Sequence, residues 1–121
     1  MKEVMIVEDH EGMRVLYRAT FGKSKEMRIM HLAESAEHAL GLLDGTMPDL
    51  IIVDLSLPGM DGVEFTKRVK KQSPETKILI VSGYDPERYR EPALNAGADQ
   101  LISKNDIFEI IKEAKKLLGS D

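Results

Sequence analysis

Three carboxylates, a hydroxyl and an ammonium follow apolar runs in this chain. Glu8 and Asp9 come directly after Val4-Met5-Ile6-Val7, and Asp54 after Leu50-Ile51-Ile52-Val53. Ser82 closes the run that ends Ile80-Val81, and Lys104 follows Ile102-Ser103. Short apolar, β-branched runs read as strands buried on both faces of a parallel sheet. In such sheets ligands and chemistry collect just beyond the carboxyl ends of the strands. Acids crowded there repel one another unless a cation sits among them. Oxygen-only ligands with room for water suit Mg²⁺ better than Ca²⁺. Beside such a cation Asp54 is equipped to take a phosphoryl group: its carboxylate attacks phosphorus in line, Lys104 and the cation neutralise the oxygens, and Ser82 donates a hydrogen bond.

Each residue also has a plainer reading. Glu8 and Asp9 are candidate caps for the helix that follows, and Asp54 a strand-end acid bonded to loop amides. A strand-end Ser is usually a turn former and a strand-end Lys usually solvated. His10 reads as a loop or first-turn residue facing water rather than a transition-metal ligand. The set taken together, in this order, favours the phosphoryl chemistry.

The elements that must position these residues alternate strand and helix five times. Strands are predicted over Val4–Val7, Arg28–Leu32, Leu50–Val53, Lys77–Val81 and Asp99–Ser103, the last more polar and so at an edge. Helical spacing runs from Gly12 to Phe21. Ser35 caps a second helix with Ala36, Ala39, Leu40 and Leu43 on its apolar side, and Asp61-Gly62-Val63-Glu64 opens a third with capping-box spacing. Asp85-Pro86 is a cap and first-turn pair, but Pro92 removes a donor soon after. The fourth helix is therefore expected to break, or to begin in earnest, near Pro92, and to stop at Asn95-Ala96-Gly97. Asp106 opens the last helix, whose core stripe is Ile110, Ile111, Ala114, Leu117 and Leu118. Gly119-Ser120-Asp121 reads as a frayed end or the point where a longer protein was cut. This pattern implies an α/β fold: a doubly wound, five-stranded parallel sheet with right-handed crossovers.

Composition bounds the function. The chain has 121 residues, suiting a single domain over 1–121, and 42% of them are hydrophobic, which excludes a disordered chain. Its 17 basic against 21 acidic residues argue against direct nucleic-acid binding. With no cysteine, disulfides and thiolate chemistry are excluded. No apolar run approaches the roughly 20 residues of a bilayer span, and the N-terminus has no signal-peptide pattern. A cytoplasmic protein is expected.

On these residues the chain resembles a receiver domain of the two-component response-regulator family, over nearly its whole length. Glu8-Asp9 is similar to the family's acid pair and Asp54 to its phosphoacceptor. Leu57-Pro58-Gly59-Met60-Asp61-Gly62 resembles the loop that follows, Ser82 stands where the family has Ser or Thr, and Gly97-Ala98-Asp99 leads to Lys104 where it has lysine. The resemblance implies the flavodoxin-like strand order 2-1-3-4-5. It implies phosphoryl transfer from the phosphohistidine of a histidine kinase or phosphotransfer protein, with Mg²⁺ held by Asp9, Asp54 and the backbone carbonyl of Ser56, and by Glu8 through water. The domain would catalyse its own phosphorylation and dephosphorylation rather than turn over a separate substrate. Phosphorylation would draw Ser82 and Lys104 inward and shift the face of the fourth helix, fifth strand and fifth helix toward a downstream partner or output domain. Homodimerisation through the last helix and its neighbours is open to it by the same analogy. Two positions depart from the family. Leu101 stands where it usually has Tyr or Phe as a switch, and Asn105 follows the lysine where it often has a cis proline. Tyr84, two residues after Ser82, is placed to hinder a hydrolytic water if it overhangs the site.

Three other readings fit the residues less well. An Asp-nucleophile phosphatase needs a general acid beside the nucleophile and a cap domain; Leu55-Ser56 and 121 residues supply neither. A flavin or nucleotide binder needs glycines in the first turn, where Glu8-Asp9-His10-Glu11 is acidic. A receiver-like interaction module working without phosphorylation is favoured only by Leu101.

Overall fold

The computed structural model describes residues 1–119; Ser120 and Asp121, part of the expected frayed end, lie outside the described residues. Five strands and five helices alternate: β1 (Lys2–Val7), α1 (Glu11–Phe21), β2 (Met27–Ala33), α2 (Ala36–Leu42), β3 (Leu50–Asp54), α3 (Gly62–Gln72), β4 (Lys77–Ser82), α4 (Pro86–Asn95), β5 (Gln100–Ser103) and α5 (Ile107–Leu117). The strands form one parallel sheet in the order β2-β1-β3-β4-β5, the expected doubly wound topology with β5 at an edge.

Strand alternation divides the core in two. Val4 and Ile6 of β1, Leu50 and Ile52 of β3, and Leu79 and Val81 of β4 pack with Tyr17, Phe21, Ile110 and Ala114 of α1 and α5. Met5 and Val7, Ile51 and Val53, and Ile78 and Ile80 face the other way, onto Ala36, Ala39, Phe65, Val69 and Ala93. The register sets Val7 beside Val53, Asp54 beside Val81 and Ser82 beside Ser103, so four strands finish along one edge.

Capping follows side-chain chemistry closely. Ser35, Asp61, Asp85 and Asp106 each accept a backbone N–H of the helix they open. Two expectations are corrected. The cap of α1 is neither Glu8 nor Asp9 but His10, whose Nδ1 accepts from the Met13 N–H at 3.3 Å, so the helix begins one residue earlier, at Glu11. And α4 runs unbroken through Pro92. The ring costs one hydrogen bond, but Pro86 presets the first turn, and fully buried Ala93 and partly buried Tyr89 anchor the helix to the core, so packing outweighs the local penalty. In α5, Ile110 and Ala114 are fully buried, while Ile111, Leu117 and Leu118 pack against the core from its margin.

The turn from β3 into α3 has almost no slack. A β-carbon added to Gly62 would lie 2.6 Å from the Asp54 carbonyl oxygen and 3.0 Å from Leu55 Cα. Gly62→Ala is therefore expected to lower stability by about 1–3 kcal/mol in urea unfolding. Gly41→Ala, in open space within α2, is expected to raise it by about 0.4–1 kcal/mol.

Candidate functional site

β1 and β3 lie side by side, and each ends in acid. Glu8 and Asp54 continue the faces of Ile6 and Ile52 and are buried, at 1% and 5% exposure, whereas Asp9 is open to solvent. One carboxylate oxygen from each of Glu8, Asp9 and Asp54 lies within 4.8 Å of the others, a spacing that suits a metal ion. The donor set is oxygen alone, as a hard divalent cation requires. Backbone groups brace the cluster: Arg14 of α1 donates Nη1 to the carbonyls of Glu8 and Asp9 at 3.1 and 2.8 Å, and the Ser56 N–H donates to Asp54 Oδ1 at 3.2 Å.

Lys104 completes the arrangement from the end of β5. Its Nζ donates to Asp54 Oδ2 at 2.6 Å and to Glu8 Oε2 at 3.0 Å. Glu8 Oε1 is also 2.8 Å from the ammonium, but out of line for a hydrogen bond. The ammonium thus bridges two buried acids. Burial favours the neutral form of Glu8 and raises its pKa, and the Asp54 charge adds to this; hydrogen bonds from Lys104 and the His10 N–H offset only part. For Lys104, burial pulls the pKa down, but its hydrogen bonds to Asp54 and Glu8 prevail and the net shift is upward.

The other expected residues are engaged in contacts of their own. Ser82 is fully buried at the end of β4, yet its Oγ is turned to its own loop, accepting from the Tyr84 N–H at 3.0 Å and donating to the Tyr84 carbonyl at 3.2 Å. By alternation it continues the Ile78–Ile80 face, opposite to that of Asp54. The Tyr84 side chain is 61% exposed and pairs with Tyr89 of α4, ring centroids 6.5 Å apart. Leu101 is fully buried in the core, and Arg90 of α4 donates to its carbonyl at 3.2 Å. The Lys104–Asn105 bond is trans. His10 is committed as a helix cap.

Two residues at this edge carried no signal in the sequence. Glu37 of α2 accepts the Met60 N–H at 2.9 Å, tying down the loop after β3. That hydrogen bond holds the Glu37 pKa low. Gly59 beside it has φ +77°, and a β-carbon there would meet the Glu37 carboxylate at 2.7 Å. The second is Tyr17, buried in α1 with a hydroxyl that has no hydrogen-bond partner. Burial, reinforced by the charges of Glu8 and Asp54, pushes its ionisation well above the ordinary range.

A family model described as the response regulator receiver domain matches residues 4–115. Among curated relatives, an uncharacterized transcriptional regulatory protein, YhcZ of Bacillus subtilis, is 29% identical over 98% of this chain and 56% of its own length. The response regulator protein VraR of Staphylococcus aureus is 33% identical over 93% of the chain and 54% of its own. The chain thus spans little more than half the length of these relatives. Among solved structures, a LuxR-family response regulator from Aurantimonas superposes with TM-score 0.91 at 27% identity, covering 98% of this chain and 86% of its own. The Thermotoga maritima response regulator TrrA, in complex with Mg²⁺ and beryllofluoride, superposes at 0.82 with 29% identity, covering 98% and 99%.

The sign of the Glu8 shift gives a test. Its folded-state pKa lies above the ordinary 4.5, so between those values the fold holds a proton that the unfolded chain has released. Stability then falls as pH rises through that window. Without divalent metal, Glu8→Gln is expected to unfold at a higher urea concentration than wild type at pH 7. The gain is expected to shrink as pH falls through the window toward 4.5.

Proposed function

This chain belongs to the response-regulator receiver family, and on that premise we propose that it is a single receiver domain over residues 1–121 whose switch is a phosphoryl group on Asp54. The observation that carries the proposal is the Lys104 ammonium 2.6 Å from Asp54 Oδ2, inside a cluster of three acids. An oxygen of the Asp54 carboxylate forms the bond to phosphorus as the bond from phosphorus to the donor imidazole of a histidine kinase or phosphotransfer protein breaks. Lys104 is already beside that carboxylate and needs only a small movement to pair with a phosphoryl oxygen. Asp9 and Asp54, the carbonyl of Ser56 and, through water, Glu8 would hold Mg²⁺, which when bound neutralises charge on the transferring group. The domain promotes this transfer on itself, and then the attack of water on the acyl phosphate that breaks the bond from phosphorus to Asp54 and releases inorganic phosphate, with no separate substrate.

The signal then leaves through Ser82. Its hydroxyl is bonded to both backbone groups of Tyr84, and a turn toward the phosphoryl oxygens breaks those bonds and frees the entry to α4. Leu101, buried and aliphatic, has no ring to swing, so the β4–α4 segment and the Arg90 clamp on β5 carry the change to the α4-β5-α5 face. What that face controls is a downstream protein or an output domain. Relatives of about twice this length include named transcriptional regulators, and in this reading DNA contact belongs to such an output and not to this acidic domain. Among the described residues no helix is long and apolar enough to cross a membrane, and a cytoplasmic setting fits a kinase-driven switch.

Incubation with acetyl phosphate and Mg²⁺ is expected to add one phosphoryl group to the intact mass of the wild type. Asp54→Asn, or chelation of the metal, is expected to abolish the gain. No gain from acetyl phosphate or from any of a panel of histidine kinases would leave the chain as a docking module that works without phosphorylation.

A further inference from the structure

Two buried polar side-chain atoms among the described residues have no hydrogen-bond partner: Glu8 Oε1 and the Tyr17 hydroxyl. One is an acceptor and the other a donor. A tyrosine buried in a core normally finds a partner for its O–H, so this phenol is a departure from the rule. The two residues share a side of the sheet. Glu8 continues the face of Val4 and Ile6, and those residues pack in the same apolar cluster as Tyr17. Side chains on a helix lean toward its N-terminus, and the N-terminus of α1 adjoins Glu8 and Asp9. That lean is in the direction of the acids. The raised pKa of the phenol is consistent with this, since both carboxylate charges bear on it.

At rest Glu8 has a counter-charge, the Lys104 ammonium 2.8 and 3.0 Å from its two oxygens. Phosphorylation makes new demands on that ammonium. The acyl phosphate converts the Asp54 carboxylate to a neutral acyl group and places new anionic oxygens within reach of Lys104. As the lysine turns to them, Glu8 stays buried with its direct ion-pair partner drawn off and only a water-mediated link to the metal, a situation costly unless another donor steps in. The His10 N–H already serves Oε2. We propose that Tyr17 is a positioning residue whose hydroxyl donates to Glu8 Oε1 when Lys104 turns to the phosphoryl group, so that the acid keeps its place beside the metal site in the active state. This role rests on the phosphorylation of Asp54 proposed above. Phenylalanine at position 17 would fill the same space and lack only the donor.

Beryllofluoride with Mg²⁺, a mimic of the phosphoryl group, allows the test at equilibrium. Ultraviolet resonance Raman spectra of wild type and Tyr17→Phe are recorded with and without it, and their difference isolates Tyr17. The ring doublet of tyrosine separates an unbonded phenol from a donor. It is expected to report an unbonded Tyr17 in the free protein and a donor in the beryllofluoride complex. Beryllofluoride is expected to bind Tyr17→Phe about three- to tenfold more weakly than wild type, the loss of one hydrogen bond. In a Glu8→Leu background, which offers no acceptor at that position, the same substitution is expected to change the affinity by less than twofold. A doublet that stays unbonded in the complex, or an equal loss of affinity with and without Glu8, overturns the role of Tyr17. Phosphorylation of the same samples keeps the two ideas apart: a mass gain with an unchanged doublet removes the Tyr17 role and leaves phosphorylation standing, whereas no gain in either protein from acetyl phosphate or from any of the histidine kinases removes both.

Discussion

Two carboxylates buried side by side must share a counter-charge, and the rest of this sheet edge is arranged around that requirement. Glu8 and Asp54 sit at the ends of adjacent strands at 1% and 5% exposure, and the charge between them is Lys104, 96 and 50 residues away in the chain. Such a pair is poor evidence for stability, because each buried charge costs several kcal/mol in lost hydration before any attraction is counted. Glu8 carries that burden visibly, its pKa raised by burial in spite of the lysine. In the reading proposed here, the lysine holds a place in that cluster for another cation and another anion.

The topology explains how such distant groups meet. Parallel strands in the order β2-β1-β3-β4-β5 set β1 between β2 and β3, so the loops after β1 and β3 diverge to opposite sides of the sheet and leave a crevice between them. Alternation then sorts the side chains. Glu8 and Asp54 share the α1–α5 side, whereas Ser82 continues the opposite face and is occupied with Tyr84. The proposed site thus draws on both layers, with Glu8, Asp54, the lysine and Tyr17 on one side and the serine and the entry to α4 on the other. A ligand that engages both couples the two layers, which is what a switch requires.

Much of this was legible in the residues, for a physical reason. Buried parallel strands are short, continuous apolar runs, so a polar residue directly after one is conspicuous; the candidates Glu8, Asp9, Asp54, Ser82 and Lys104 stand out that way, and the structure brings the three acids and the lysine together while Ser82 is turned to Tyr84. Caps were legible where Ser or Asp supplied the acceptor, as at Ser35, Asp61, Asp85 and Asp106. His10 was not, because imidazole is an uncommon cap and stronger candidates precede it. Pro92 misled because a local rule about one donor says nothing of the packing that holds Ala93 in place. Glu37 and Met60 are 23 residues apart on different elements, and nothing local marks their contact. Tyr17 looked like one more apolar residue in a helical stripe; only the burial of its hydroxyl without a partner sets it apart.

In this reading Lys104 occupies the acid cluster as a resident cation in competition with the metal. Titration calorimetry of Mg²⁺ into wild type and Lys104→Met tests it most directly. If the lysine competes, removing it leaves two uncompensated carboxylates, and Mg²⁺ is expected to bind the variant more tightly than wild type. Equal or weaker binding to the variant would contradict the account and make Lys104 a support for the metal site instead of its rival.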